Sequence, residues 1–70
     1  MTQKTFTASI HKEGDIYVAV CVELGTASQG ETMESAIANL KEATELYLEE
    51  FPVETSEPFF FTTFTAQAYA

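Results

Sequence analysis

Residues 32–52 constrain this chain more than any other stretch, because they specify the start, the faces and the end of one helix. Thr32 is a good N-cap, since its hydroxyl can accept from the free N–H groups of the first turn, and Glu31 and Glu34 set negative charge near the positive end of the helix. At 100° per residue, Met33, Ala36, Ile37, Leu40, Ala43, Thr44, Tyr47, Leu48 and Phe51 share one side, while Glu34, Ala38, Lys41, Glu42, Glu45 and Glu49 share the other. One face is therefore built for burial and the other for water. Pro52 disfavours helical geometry at Phe51, so the helix is predicted over residues 33–50. Leu46 stands outside the stripe, beside Asn39 and Glu50, either as a surface leucine or as part of a second contact surface.

Upstream, residues 4–12 alternate, with Phe6, Ala8 and Ile10 on one face and Thr5, Thr7, Ser9 and His11 on the other, the period of a half-exposed strand. The turn residues Glu13, Gly14 and Asp15 follow, and a second strand is predicted over residues 16–24. In it Ile16, Val18, Val20, Val22 and Leu24 oppose Tyr17, Ala19, Cys21 and Glu23, and the branched set is expected to face the helix. Residues 26–29 make a brief third strand. After the helix and an acidic loop over residues 53–57, residues 59–65 are rich in strand formers. The expected architecture is α+β in the order β-β-β-α-β, an antiparallel sheet with one helix across one face.

Seventy residues make one domain, residues 1–70, without an internal repeat or low-complexity linker. A chain of this size buries only roughly 60% of the surface it exposes when unfolded, so its core is marginal alone. One helix covers one sheet face, which leaves Phe60, Phe64, Tyr17, Ala19 and Cys21 on the expected uncovered side. Apolar surface of that kind marks an interface. A homodimer or higher oligomer is expected, with Leu46, Phe60 and Phe64 as interface candidates; the alternative is a monomer whose C-terminal segment folds over the open face.

Eleven acidic residues against three basic ones give a net charge of −8, which disfavours direct binding of a nucleic-acid backbone and favours a basic partner. No apolar run reaches the length of a membrane span and residues 1–5 have no signal-peptide pattern, so a cytoplasmic protein without membrane contact is expected. A single cysteine, Cys21, sits among apolar neighbours and reads as a buried, inert thiol.

Candidate chemistry is sparse. His11 lies near a strand end on the face with Thr5, Thr7 and Ser9, near only Glu13 and Asp15, and reads as a surface histidine. Pairing it with Cys21 would require a contact across the hairpin, and nothing announces an oxyanion site. Glu42, Glu45 and Glu49, at i, i+3 and i+7, are solvated carboxylates without the histidines or backbone carbonyls of a metal site. No catalytic residue, metal or cofactor is expected, and the residues point to a binding or structural module rather than an enzyme.

The runs Phe6-Thr7-Ala8-Ser9-Ile10-His11-Lys12-Glu13, Gly14-Asp15-Ile16-Tyr17-Val18-Ala19-Val20-Cys21-Val22-Glu23-Leu24, Ser28-Gln29-Gly30-Glu31-Thr32-Met33-Glu34-Ser35-Ala36 and Asn39-Leu40-Lys41-Glu42-Ala43, with Glu45-Leu46-Tyr47-Leu48-Glu49-Glu50, together resemble the short single-domain members of the HicB antitoxin family. The resemblance covers about residues 5–51. It implies a partial RNase H-like or double-stranded-RNA-binding-like fold, homo-oligomerisation, and a role in a type II toxin-antitoxin system opposite a HicA-like toxin, a small basic mRNA interferase. Three positions depart from the family: Val22 stands where many members have proline before Glu-Leu, and Gly25-Thr26 stand where many have Pro-Gly. Longer members append a DNA-binding domain, which is not expected here. Nor can the acidic constellation of RNase H enzymes be placed on these strands, since Glu23 alone does not suffice.

The function expected is thus neutralisation of a HicA-like ribonuclease by protein contact. The candidate partner-binding residues are Glu42, Glu45 and Glu49 on the helix, Glu54 and Glu57 in the loop, and Tyr17 and Phe60 as aromatic anchors. The alternative is an orphan homo-oligomeric scaffold, or a small-ligand-binding domain, without a cognate toxin.

Overall fold

A computed structural model describes residues 3–52 and 60–69. Three strands, β1 (Ala8–Glu13), β2 (Ile16–Cys21) and β3 (Ala27–Gly30), form an antiparallel sheet in the order β1-β2-β3, and the helix α1 (Met33–Glu50) packs on it. This is the expected α+β class.

A two-residue turn joins β1 to β2, with Gly14 at φ 60°, a conformation that favours glycine. It pairs Glu13 with Ile16, and the pairing continues through His11 with Val18 and Ile10 with Ala19 to Ala8 with Cys21. Strand β2 ends three residues before the predicted limit. Residues 22–24 turn, the Gly25 N–H donates to the Cys21 carbonyl at 2.8 Å, and the Cys21 N–H donates to the Thr26 carbonyl at 2.7 Å.

The faces of β2 are the reverse of the expectation. Ala19 and Cys21 are buried beneath the helix with Ala36 and Leu40, and Phe6, Ile10, Tyr17 and Leu24 pack around them. Ile16, Val18 and Val20 lie on the opposite, open face with Ser9, His11 and Glu13 of β1 and Ala27 and Gln29 of β3. The physical reason is the distance of approach. Small residues under a helix allow its backbone close to the sheet, and Ala19, Cys21, Ser28 and Gly30 supply such a floor. At Gly30 the fit is tightest, since a Cβ would lie 2.6 Å from the Ala36 nitrogen and 2.8 Å from the Ser35 carbonyl carbon.

The helix begins and ends where its sequence indicates. Thr32 is extended at φ −129° and ψ 164°, its hydroxyl accepts from the Ser35 N–H at 3.0 Å, and the Ser35 hydroxyl accepts from the Thr32 N–H at 3.0 Å, a reciprocal capping box. At the other end the Phe51 N–H donates to the Tyr47 carbonyl at 2.8 Å, with the two rings 5.1 Å apart. Only the centre of the apolar stripe is buried, at Ala36, Leu40 and Thr44, and the Thr44 hydroxyl is satisfied by the Thr26 hydroxyl at 2.8 Å. The flanks of the stripe, Met33 and Ile37 on one turn and Tyr47 and Phe51 on the last, stay exposed. Packing favours β3 and β2, so the helix-side face of β1 is left half-covered.

The fourth strand predicted over residues 59–65 is not formed by residues 60–65, and Phe59 lies outside the described residues. Strand-forming composition supplies propensity, but a strand exists only where a neighbouring ladder accepts it. Residues 60–69 are not in strand conformation and are exposed throughout.

Candidate functional site

Two surfaces emerge from this arrangement. The first is the outer face of α1, where Glu42, Glu45 and Glu49 are all exposed, with Glu34 and Glu50 at its ends. Lys41 donates to the Glu45 carboxylate at 2.9 Å in an i, i+4 pair, which partly neutralises the middle of the row and leaves Glu42 and Glu49 as the stronger sources of negative potential. Glu54 and Glu57 lie outside the described residues.

The second is a groove of about 540 Å³ between the exposed flank of α1 and the N-terminal part of the chain. Phe6, Ala8 and Cys21 line its sheet side, Ile37, Leu40 and Thr44 its helix side, and Lys4, Lys41 and Glu45 its rim. It exists because α1 packs mainly over β2 and β3 and leaves the helix-side face of β1 half-covered. Its N-terminal wall is held by one carboxylate. Glu23 accepts from the Thr7 N–H at 2.9 Å with one oxygen and from the Thr7 hydroxyl at 2.8 Å with the other. The Thr7 N–H bond, helped by the hydroxyl, holds the Glu23 carboxyl below its ordinary 4.5, against an opposing contribution from partial burial. The Val22 N–H completes the tether by donating to the Thr7 carbonyl at 2.9 Å.

Sequence reasoning missed this clamp, although Glu23 was in view. Its signal was an acidic residue just past a strand end, opposite the threonine that precedes the neighbouring strand. The exposed Ile37 flank was missed for a different reason: periodicity defines an apolar stripe without saying whether the sheet is wide enough to cover it.

The aromatic candidates separate. Tyr17 packs against the core with the Lys12 ammonium 5.7 Å from its ring centroid, whereas Phe60 is 88% exposed. Phe64 is equally exposed. Leu46, 58% exposed, borders a shallow hollow of about 470 Å³ with Thr26, Ala43, Tyr47 and Phe51. The His11 Nε2 hydrogen-bonds the Glu13 carboxylate, which accepts, at 2.7 Å on the open face, and Cys21 is buried on the other, so the sheet itself separates the two. Among the described residues no group of three or more His, Cys, Asp or Glu is placed to share a metal ion, and no helix is long and apolar enough to cross a membrane.

No family model, no curated protein and no solved structure matches this chain.

Proposed function

We propose that this protein is a HicB-like antitoxin, which binds a small basic ribonuclease of the HicA type and blocks it by surface contact. The observation that carries the reading is the exposed acidic row of α1 on a chain of net charge −8, set on the three-strand-and-helix order that the resemblance implies. Such a row attracts a basic surface over several ångströms and raises the rate of encounter, while affinity comes from the buried contacts that follow. An RNA-binding toxin must carry the complementary positive surface, because it has to neutralise phosphates. An acidic cover over that surface excludes RNA without any chemistry by the antitoxin itself.

The test is to look for a small basic reading frame beside this gene and co-express its product, followed by an RNA-cleavage assay of that product with and without this protein. A stable complex that suppresses cleavage is the expected result. Failure to form a complex with a folded, active ribonuclease overturns the reading. The groove favours one competing reading, an orphan scaffold or small-ligand-binding domain, and that reading takes over if the protein purifies alone beside an inactive or absent neighbour.

A further inference from the structure

We infer that the groove beside β1 receives residues 60–69 of a second copy of this chain, which add a strand to the free edge of β1 and seat Phe60 and Phe64 between β1 and α1. This goes beyond the antitoxin reading and does not depend on it.

The edge comes first. The Val22 N–H bonds the Thr7 carbonyl, and the register pairs Ala8 with Cys21, so Thr7, Ser9 and His11 direct their main-chain groups toward β2. The main-chain N–H and C=O groups of Ala8, Ile10 and Lys12 consequently point outward, along an edge with no neighbouring strand among the described residues. An open edge of this kind is a template for an added strand.

The two faces of such a strand match the surfaces they would meet. With a period of two, Phe60, Thr62, Phe64, Ala66 and Ala68 fall on one side, and Phe61, Thr63, Thr65, Gln67 and Tyr69 on the other. The first set fits the apolar side of β1, where Phe6 and Ala8 line the groove opposite Ile37 and Leu40. The more polar set falls beside Ser9, His11 and Glu13.

Charge selects the same pair of surfaces. Copies of a −8 chain repel one another over most of their surface. Residues 60–69 carry no formal charge, and the groove's rim holds Lys4 beside the Lys41–Glu45 ion pair, so it is free of the net negative charge that marks the chain as a whole. These are the surfaces on which two copies can meet at the least electrostatic cost. The occupant is a second copy rather than the chain's own segment, because Phe60 and Phe64 are each 88% exposed and do not enter their own groove. Reciprocal exchange closes a two-fold dimer and covers apolar area that a 70-residue core lacks.

The experiment uses the full chain with no toxin present. Native mass measurement is expected to give twice 7.7 kDa. Phe60→Ser/Phe64→Ser and, separately, Ile37→Asp alter exposed positions and should leave the circular dichroism unchanged while weakening self-association at least about 100-fold, as loss of aromatic anchors does. To identify the occupant, chains with a photoreactive benzoyl-phenylalanine at position 64 are prepared in ¹⁴N and ¹⁵N forms, unfolded together, refolded and irradiated. Cross-links from position 64 to residues 3–8 or 37–45 in mixed-isotope pairs are the expected result. A monomeric native chain, cross-links confined to a single chain, cross-links to another surface, no cross-links, or dimers that survive both variants would each overturn the inference.

Discussion

Glu23 shows how much one side chain can organise. Its two oxygens hold the main-chain N–H and the hydroxyl of Thr7, and through them the segment that forms a wall of the groove. Because its folded-state pKa lies below 4.5, the unfolded chain takes up the proton first as the pH falls. The stabilisation is therefore complete above the unfolded value and is lost as the pH drops through the lower folded one. Glu23→Gln is expected to lower stability at pH 7 and to flatten the acid limb of a urea-midpoint-against-pH curve below about pH 4.5. In the native chain the Thr7 amide resonance should titrate with Glu23. A Thr7 resonance that stays constant through that range, or a variant with an unaltered acid limb, would remove the clamp. No local pattern around Glu23 announces this role, because it follows only once the hairpin register puts residues sixteen apart in contact.

At the scale of elements, α1 was legible almost residue by residue, since its cap, its stripe and its terminating proline are local signals that agree. The face of β2 was not. Both of its alternating sets are apolar, so periodicity finds two faces without choosing between them. The choice was nonetheless recoverable. A two-residue turn at Gly14 and Asp15 pairs Glu13 with Ile16, which places Ala19 and Cys21 opposite Ile10 and Ala8, and the β1 set containing Phe6, Ala8 and Ile10 is unmistakably the inner one. Side-chain size then explains the geometry, because the helix backbone descends onto small residues. Gly30→Ala tests this directly. The added Cβ meets backbone atoms of Ser35 and Ala36, which cannot rotate away, so α1 must lift from β3. The expected loss is about 1–3 kcal/mol in denaturant unfolding with the m-value unchanged. A neutral result would mean that the helix tolerates displacement and that close approach does not hold it.

At the scale of the whole molecule, charge and apolar surface are segregated, and the two proposed contacts should answer to salt with opposite signs. Self-association joins an uncharged segment to a groove on chains that repel one another, so screening helps it. Capture of a basic ribonuclease joins opposite charges, so screening hinders it. The Debye length shrinks from about 30 Å at 0.01 M to about 10 Å at 0.1 M, which spans the range of interest. Raising salt across that interval is expected to tighten the self-association while slowing association with the basic partner. Glu42→Lys/Glu49→Lys sharpens the contrast and spares the groove, whose rim holds Glu45 but neither of these residues. Each reversal adds two positive charges, so the net charge moves from −8 to −4. The variant should self-associate more tightly than the native chain at low salt and bind the basic partner more slowly there, with both differences fading at high salt. Stopped-flow association rates and native mass titrations read the two effects separately. Self-association that weakens as salt rises would mean that ion pairs hold the copies together, which a neutral segment cannot supply. A basic partner indifferent to both salt and charge reversal would approach by some surface other than the helix carboxylates.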